Sequence, residues 1–155
     1  LCEIEFGKIF VSPLRRTRQT LEHARLDSVQ CTLDSRIVEY RAPGMYTEYV
    51  LPYAPIDGYG DSDIHEAWET PFAERIRAFM KELRQSKYEK ILAVTHGGAS
   101  IGMANDILRG GRLESTGVEN KLQGMENCAI AVFHLHPDPE ECRMVRWNDI
   151  GHLHA

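Results

Sequence analysis

Residues 91–98 read Ile91-Leu92-Ala93-Val94-Thr95-His96-Gly97-Gly98. The first four form a nearly continuous apolar run, which is typical of a parallel strand covered on both faces. An imidazole and two glycines follow, and small residues at such a junction indicate the first turn of a helix. Because ligands of open α/β sheets bind beyond the carboxyl ends of the strands, His96 and Gly97 are candidate site residues.

A second junction of the same kind lies near the start of the chain. Residues 9–11 are β-branched and aromatic and predict a strand that stops at Ser12-Pro13, where serine can cap and proline can open a helix. Apolar or small residues then recur at helical spacing, at Leu14, Thr17, Leu21 and Ala24. The opening turns of this helix carry three arginines, Arg15, Arg16 and Arg18.

Both junctions suit an anion. The first turn of a helix offers unpaired N–H groups and a partial positive charge, and glycines let a ligand approach the backbone. The planar fork of arginine matches phosphate oxygens, and each charge-assisted hydrogen bond contributes roughly 1.5–3 kcal/mol. The two junctions together therefore predict a phosphate pocket.

The remaining pattern predicts an α/β layer fold with a mostly parallel sheet. Residues 36–63 are rich in proline and glycine and predict a long irregular excursion. Thr70-Pro71 predicts a helix start, and the helix after His96 should end near Gly110-Gly111. The apolar stripe of the helix after Pro71 comprises Phe72, Ile76, Phe79, Met80 and Leu83, with Arg75, Arg77, Lys81, Glu82 and Arg84 off it. Residues 128–135 and a segment around 144–147 predict a terminal hairpin.

Composition narrows the class of protein. The 155 residues fit one domain, and 43% apolar with 26% charged residues describe a globular chain. The net charge of -5 argues against nucleic acid or an anionic membrane as a partner, and no apolar run is long enough to span a bilayer. The four cysteines are widely spaced without a Cys-x-x-Cys motif, so reduced thiols in a cytoplasmic protein are expected.

The two junctions, in this order and at this separation, resemble the histidine phosphatase superfamily, which includes the phosphoglycerate mutases and many small-molecule phosphatases. Residues 12–20, Ser-Pro-Leu-Arg-Arg-Thr-Arg-Gln-Thr, look like the family's Ser-Pro-Leu-x-Arg-x-x-Gln-Thr segment. Residues 94–98 look like its second-histidine motif. Residues 125–130 resemble its Asn-Cys-Ser turn, and residues 147–153 its closing strand.

The resemblance implies a three-layer α/β/α fold and assigns roles to individual residues. Arg16 would clamp the phosphoryl group, and His96 would hydrogen-bond it in the transition state with the Gly97 N–H nearby. Glu39 would protonate the leaving oxygen, with Glu48 as the reserve candidate. The resemblance also implies a small phosphate ester as substrate, and neither a metal nor another cofactor.

The family's nucleophile, the histidine of an Arg-His-Gly tripeptide on the first strand, does not occur in this sequence. Since the chain begins at Leu1, we expect domain 1–155 to be N-terminally incomplete and to lack that strand. The alternative is a remnant that binds phosphate without turnover. A phosphoglycerate-type mutase is a further alternative, although the short excursion favours a phosphatase.

Three properties stay open at the level of sequence. Histidines at alternate positions, His134 with His136 and His152 with His154, make metal binding a rival class. The ester is not identified, although Tyr40, Arg41, Tyr46, Tyr49 and Tyr53 could line the mouth of the pocket. The expected assembly is a monomer or a homodimer.

Overall fold

The computed structural model describes residues 4–26, 31–40, 66–111, 122 and 124–154. The chain divides into two units, one of residues 1–70 with 87–96 and the other of residues 71–86 with 97–155. Within the described ranges no helix is long and apolar enough to cross a membrane.

The first unit contains a parallel sheet of three short strands, β1 (Lys8–Val11), β2 (Cys31–Leu33) and β3 (Ile91–Val94), in the order β2-β1-β3. Val11 pairs with both Leu33 and Val94, so the three strands end at one level. The predicted strands before Ser12 and Thr95 are confirmed, whereas β2 was not predicted. All four residues of β3 are half-buried, so both faces of this strand are partly covered.

Helix α1 (Arg15–His23) packs on this sheet because it has one apolar side. Leu21 joins Ile9, Val11 and Leu26 in a buried cluster. The helix begins three residues after Ser12, with Leu14 as an N-cap that lacks a side-chain hydrogen bond. The expectation that Ser12 caps this helix and Pro13 opens it is therefore wrong, because the Ser12 hydroxyl is engaged by an imidazole instead.

The end of α1 is closed by a pair of backbone hydrogen bonds. Arg25 adopts a left-handed conformation with φ 56°, and its N–H donates to the carbonyl of Glu22 at 2.9 Å. The next N–H, that of Leu26, donates to the carbonyl of Leu21 at 3.1 Å. This is a Schellman motif, in which the leucine after the turn packs against the leucine inside the last turn.

The segment after β2 lies against the start of α1. Asp34 accepts a hydrogen bond from the Arg36 N–H at 2.9 Å and so caps a short 3₁₀ turn, Ser35–Ile37. Val38 is buried against Leu14, and Trp68 packs on both. Residues 66–69 are helical. Most of the predicted excursion, including Glu48 and the tyrosines Tyr46, Tyr49 and Tyr53 with Arg41, lies outside the described residues.

The described residues of the second unit include the α-helices α2 (Phe72–Arg84) and α3 (Gly97–Leu108). Ile76, Phe79 and Met80 of the predicted stripe are fully buried. Arg75 was expected off this stripe but is 4% exposed, and its guanidinium lies 5.3 Å from the centroid of the Phe72 ring. Burial of this cation is compatible with such stacking, which the apolar periodicity does not reveal.

Helix α3 ends where the sequence predicts. Gly110 and Gly111 have φ values of 58° and 77°, a region that favours glycine, and the Gly111 N–H donates to the carbonyl of Asp106 at 2.7 Å. In the middle of α3, a β-carbon added to Gly102 would lie 3.0 Å from a ring carbon of Phe72. The absence of a side chain at Gly102 therefore allows α2 and α3 to approach closely.

The terminal hairpin is confirmed. Strands β4 (Ile130–His134) and β5 (Arg143–Asp149) pair antiparallel, with an irregular register between Ile130 and Phe133. Parallel strands, helices and this hairpin make the chain a mixed α/β protein. The three-layer α/β/α arrangement stays a prediction.

Candidate functional site

The turn between β1 and α1 is built by buried residues. Ser12 and Pro13 follow β1 with their side chains enclosed, and Leu14 is fully buried. The hydroxyl of Thr17 lies 2.6 Å from the carbonyl of Ser12 and 2.5 Å from that of Leu14. A single buried threonine thus ties the end of the strand to the first turn of the helix, which carries Arg16.

The turn after β3 is held to the same sheet edge. The N–H of Ser12 donates to the carbonyl of Val94 at 2.9 Å, which extends the pairing of β1 and β3 by one residue. The hydroxyl of Thr95 donates to the carbonyl of Ile37 at 2.7 Å. His96 comes next and is 6% exposed.

These two turns bring Arg16 and His96 into contact. The Nε–H of Arg16 donates to Nδ1 of His96 at 3.0 Å. The other ring nitrogen, Nε2, lies 2.7 Å from the hydroxyl oxygen of Ser12. Residues 80 and 84 positions apart therefore share one hydrogen-bonded cluster, because parallel strands end at the same edge of a sheet.

The electrostatics of this cluster leave the imidazole neutral. Burial, and after it the neighbouring Arg16 guanidinium, lower the pKa of His96 from 6.5 to about 3. At neutral pH the cluster therefore has one positive charge, that of arginine, beside a neutral imidazole that accepts its hydrogen bond. A partly buried guanidinium of this kind is suited to an anion with planar or tetrahedral oxygens.

Glu39 lies on the segment that Thr95 holds. Its carboxylate accepts the N–H of Tyr40 at 2.8 Å, and its carbonyl accepts the indole N–H of Trp68 at 3.2 Å. Thr95, the residue before His96, donates a hydrogen bond to the carbonyl of Ile37. Ile37 lies two residues before Glu39, so this bond anchors the segment that carries Glu39. The segment is thus attached beside the imidazole, and the acid role of Glu39 stays a prediction.

Gly97 begins α3 and belongs to the second unit. A β-carbon added there would lie 3.8 Å from the carbonyl oxygen of Met125, an ordinary contact. A side chain with a β-carbon would therefore fit at position 97. The expected contact of the Gly97 N–H with a phosphoryl group stays a prediction.

The three arginines of α1 differ in their contacts. Arg15 is exposed. Arg18 lies 3.4 Å from Glu22 across one helical turn, and its guanidinium approaches the Cys31 sulfur at 3.7 Å. Of the three, the described contacts place Arg16 against His96.

Two members of the cluster were missed as site residues, Ser12 and Thr17. The sequence marks Ser12 as a helix cap, since serine before proline is a common start signal. Its bond to a ring 84 positions away is a tertiary contact that local pattern does not encode. Thr17 was counted only as part of the buried helix face.

A basic cavity lies in the other unit. It has a volume of about 350 Å³ and is lined by Arg77, Lys81, Arg84, Gln85, Gly111, Pro137 and Pro139. The Arg84 guanidinium donates to the fully buried Asp106 carboxylate at 2.6 Å. This arginine therefore holds α2 against α3.

In the described ranges, no three histidine, cysteine, aspartate or glutamate side chains form a group that could hold a metal ion.

Comparison with known proteins gives one match. A family model, described as the histidine phosphatase superfamily (branch 1), matches residues 1–150. Searches of curated proteins and of solved structures give no significant match. The matched range includes both turns of the Arg16 and His96 cluster and nearly all of the chain. On that coverage, the chain belongs to the histidine phosphatase superfamily.

Proposed function

We propose that this chain is the phosphate-holding part of a phosphatase that hydrolyses small phosphate esters through a phosphohistidine intermediate, without a metal. The observation that carries the proposal is the contact between the Arg16 guanidinium and the His96 ring at 3.0 Å. Membership of the superfamily supports a phosphatase-like or mutase-like function, and the local geometry supports an anion as the ligand.

The charge of the cluster favours a phosphoryl group. Arg16 remains protonated at any pH the protein meets, and its fork can bind two phosphate oxygens at once. Each charge-assisted hydrogen bond contributes roughly 1.5–3 kcal/mol. Such bonds strengthen when water is excluded, and His96 is only 6% exposed.

The proposed reaction has two steps. A histidine nitrogen attacks phosphorus, the ester P–O bond breaks, and Glu39 donates a proton to the leaving alkoxide. Water then attacks the phosphohistidine and releases inorganic phosphate, with Glu39 taking up the proton of that water. Throughout, Arg16, His96 and the Gly97 N–H hold the equatorial phosphoryl oxygens.

The attacking histidine is not in these 155 residues, since no Arg-His-Gly tripeptide occurs among them. We propose that a segment of the protein outside them supplies it. Without such a segment, the same cluster would bind phosphate and not turn over an ester. A mutase is the alternative within the enzyme class, and the short span between Glu39 and Thr70 favours hydrolysis.

The experiment is hydrolysis of p-nitrophenyl phosphate by the natural gene product in the presence of a metal chelator. The His96→Ala and Arg16→Ala variants should each lose most of the activity, by about a hundredfold or more. Exposed residues of the same types on α1 supply matched controls, His23→Ala and Arg15→Ala, which should keep wild-type rates.

Two outcomes would contradict the proposal. Equal rates for wild type and both site variants would remove the Arg16 and His96 cluster from the reaction. Rapid turnover that yields no acid-labile, base-stable phosphoprotein after quenching would exclude the phosphohistidine step. Binding of inorganic phosphate without turnover by the natural gene product would instead identify the non-catalytic alternative.

A further inference from the structure

Ser12 occupies a fixed position at the centre of the cluster. Its N–H donates to the Val94 carbonyl at 2.9 Å, and its own carbonyl accepts the Thr17 hydroxyl at 2.6 Å. The residue has 0% exposure. The Ser12 hydroxyl therefore lies on the sealed side of the His96 ring, and the backbone of two strand ends sets its place.

The hydrogen-bond directions around the ring follow from chemistry alone. The Arg16 Nε–H can only donate, so Nδ1 of His96 must be the nitrogen with the lone pair. A neutral imidazole has one N–H, which must then be on Nε2. That N–H donates to the Ser12 hydroxyl oxygen across 2.7 Å.

The two nitrogens also differ in access. Nε2 faces a residue without solvent exposure, while Nδ1 faces Arg16, which is half-buried. A ligand that reaches the guanidinium arrives on the Nδ1 side of the ring.

We infer that Ser12 is a positioning residue, whose hydroxyl oxygen accepts the Nε2–H of His96 and presents Nδ1 to the phosphoryl group beside Arg16. This inference rests on the proposed function, in which Arg16 and His96 hold that group. Ser12 itself does not touch the ligand.

Binding of an anion gives the Ser12 hydroxyl a defined role beside the His96 ring. A phosphate that takes over the Arg16 guanidinium leaves Nδ1 without its donor. A proton taken up at Nδ1 then faces a phosphoryl oxygen, and the doubly protonated ring donates from both nitrogens. Burial is the larger cause of the lowered pKa of His96, and the Arg16 charge is the smaller one. A bound phosphate dianion opposes the Arg16 charge and so favours uptake of a proton by the ring. The Ser12 oxygen remains the acceptor for Nε2–H and stabilises the imidazolium.

The test uses two substitutions that separate hydrogen bonding from packing. Ser12→Ala removes the acceptor, and Ser12→Cys keeps nearly the same volume but accepts a hydrogen bond only weakly. Thr20→Ala is the matched control. The Thr20 hydroxyl, on α1, donates to the carbonyl of Arg16 at 3.0 Å and does not bind the His96 ring. Denaturant unfolding of each variant establishes that it folds.

The first measurement is the ¹⁵N and ¹H spectrum of the His96 ring in the free chain, assigned with His96→Gln. Wild type should show the proton on Nε2 and a lone pair on Nδ1, with the Nε2 proton shifted downfield. Both Ser12 variants should move this proton upfield, and Thr20→Ala should not. A proton on Nδ1 in the free wild-type chain overturns the inference.

The second measurement is calorimetric titration with inorganic phosphate at one fixed pH, so that the dianion fraction is the same for all proteins. Both Ser12 variants should bind about tenfold more weakly, which corresponds to loss of one hydrogen bond to a charged group. Phosphate-bound wild type should show protons on both ring nitrogens.

Failure of this inference differs from failure of the proposed function. Binding that depends on Arg16 and His96 but is unchanged in Ser12→Cys and Ser12→Ala overturns the positioning role alone. If wild type binds no phosphate although the free ring has the expected tautomer, the proposed function fails, and the role of Nδ1 fails with it.

Discussion

Acid should destabilise this protein through His96 before most carboxylates titrate. The ring is 6% exposed, and its pKa is lowered from 6.5 to about 3 in the folded chain. The unfolded chain therefore binds a proton at a pH where the folded chain does not. The stability that the neutral ring contributes is fully present above pH 6.5 and is lost as the pH falls toward 3.

The magnitude follows from one proton. Each pH unit inside that window lowers the free energy of unfolding by ~1.4 kcal/mol. Between pH 7 and pH 5 the loss is about 2 kcal/mol, since most of that interval lies below the pKa of the unfolded state. A loss of this size is a large fraction of the stability of an ordinary domain, about 5–15 kcal/mol.

The assay is urea unfolding at pH 7, 6 and 5, followed by the fluorescence of Trp68 and Trp147. His96→Asn replaces the ring with a side chain that does not titrate, so the difference between wild type and variant at each pH isolates His96. We expect this difference to shrink by about 2 kcal/mol from pH 7 to pH 5. His23→Asn, at an exposed histidine of α1, should keep the wild-type pH dependence.

A difference between wild type and His96→Asn that stays constant over this range would refute the reasoning. Such a result would mean that the pKa of His96 in the folded chain is the same as in the unfolded chain, and burial beside the Arg16 guanidinium would then not lower it as described. A difference that grows as the pH falls would point to an imidazolium with a carboxylate partner.

Three further predictions concern stability, and denaturant unfolding at pH 7 checks each. Thr17→Val removes the buried hydroxyl that bonds to the Ser12 carbonyl at the first turn of α1, and the lost hydrogen bond should lower the free energy of unfolding by about 1–3 kcal/mol. An unchanged free energy of unfolding would contradict this hydrogen bond. Arg84→Met leaves the Asp106 carboxylate buried without its cation and should cost ~3–5 kcal/mol, whereas adding Asp106→Leu should restore much of the loss; equal losses in the single and double variants would contradict the ion pair. Gly102→Ala gains about 0.5–1 kcal/mol of helix propensity but places a methyl group 3.0 Å from the Phe72 ring and 3.2 Å from Ile76, so we expect a net cost of about 1 kcal/mol, and a stabilised variant would show that these side chains move aside.

The sequence predicted the elements whose apolar pattern is long or unbroken. The stripe of α2, the run of β3 and the glycine pair after α3 each appear at the predicted place. These features follow from local periodicity and turn chemistry, which need no knowledge of neighbours. Strand β2 (Cys31–Leu33) was missed because its three residues include one β-branched side chain, whereas the equally short run at 9–11 has two with an aromatic residue between them.

In the candidate site, too, some features follow from local pattern and others from tertiary contacts. Strand-end position predicted that Arg16 and His96 belong together, since parallel strands end at one sheet edge. The use of Ser12 was not predictable, because a hydroxyl before proline serves equally well as a helix cap or as a partner for a distant ring. The burial of Arg75 was not predictable either, because its contact with the Phe72 ring, three residues earlier on α2, is not encoded in the apolar pattern.

The Schellman closure at Arg25 and Leu26 has a consequence for ligand affinity. With Leu26 locked onto Leu21 at one end of α1, and Thr17 bound to Ser12 at the other, the helix has little freedom to slide or rotate on its sheet. The backbone position of Arg16 is then set during folding, so a ligand need only redirect its guanidinium. Such preorganisation lowers the conformational entropy lost when the ligand binds. Substitutions in the apolar contacts between α1 and its sheet should therefore weaken ligand binding, although these residues do not touch the ligand.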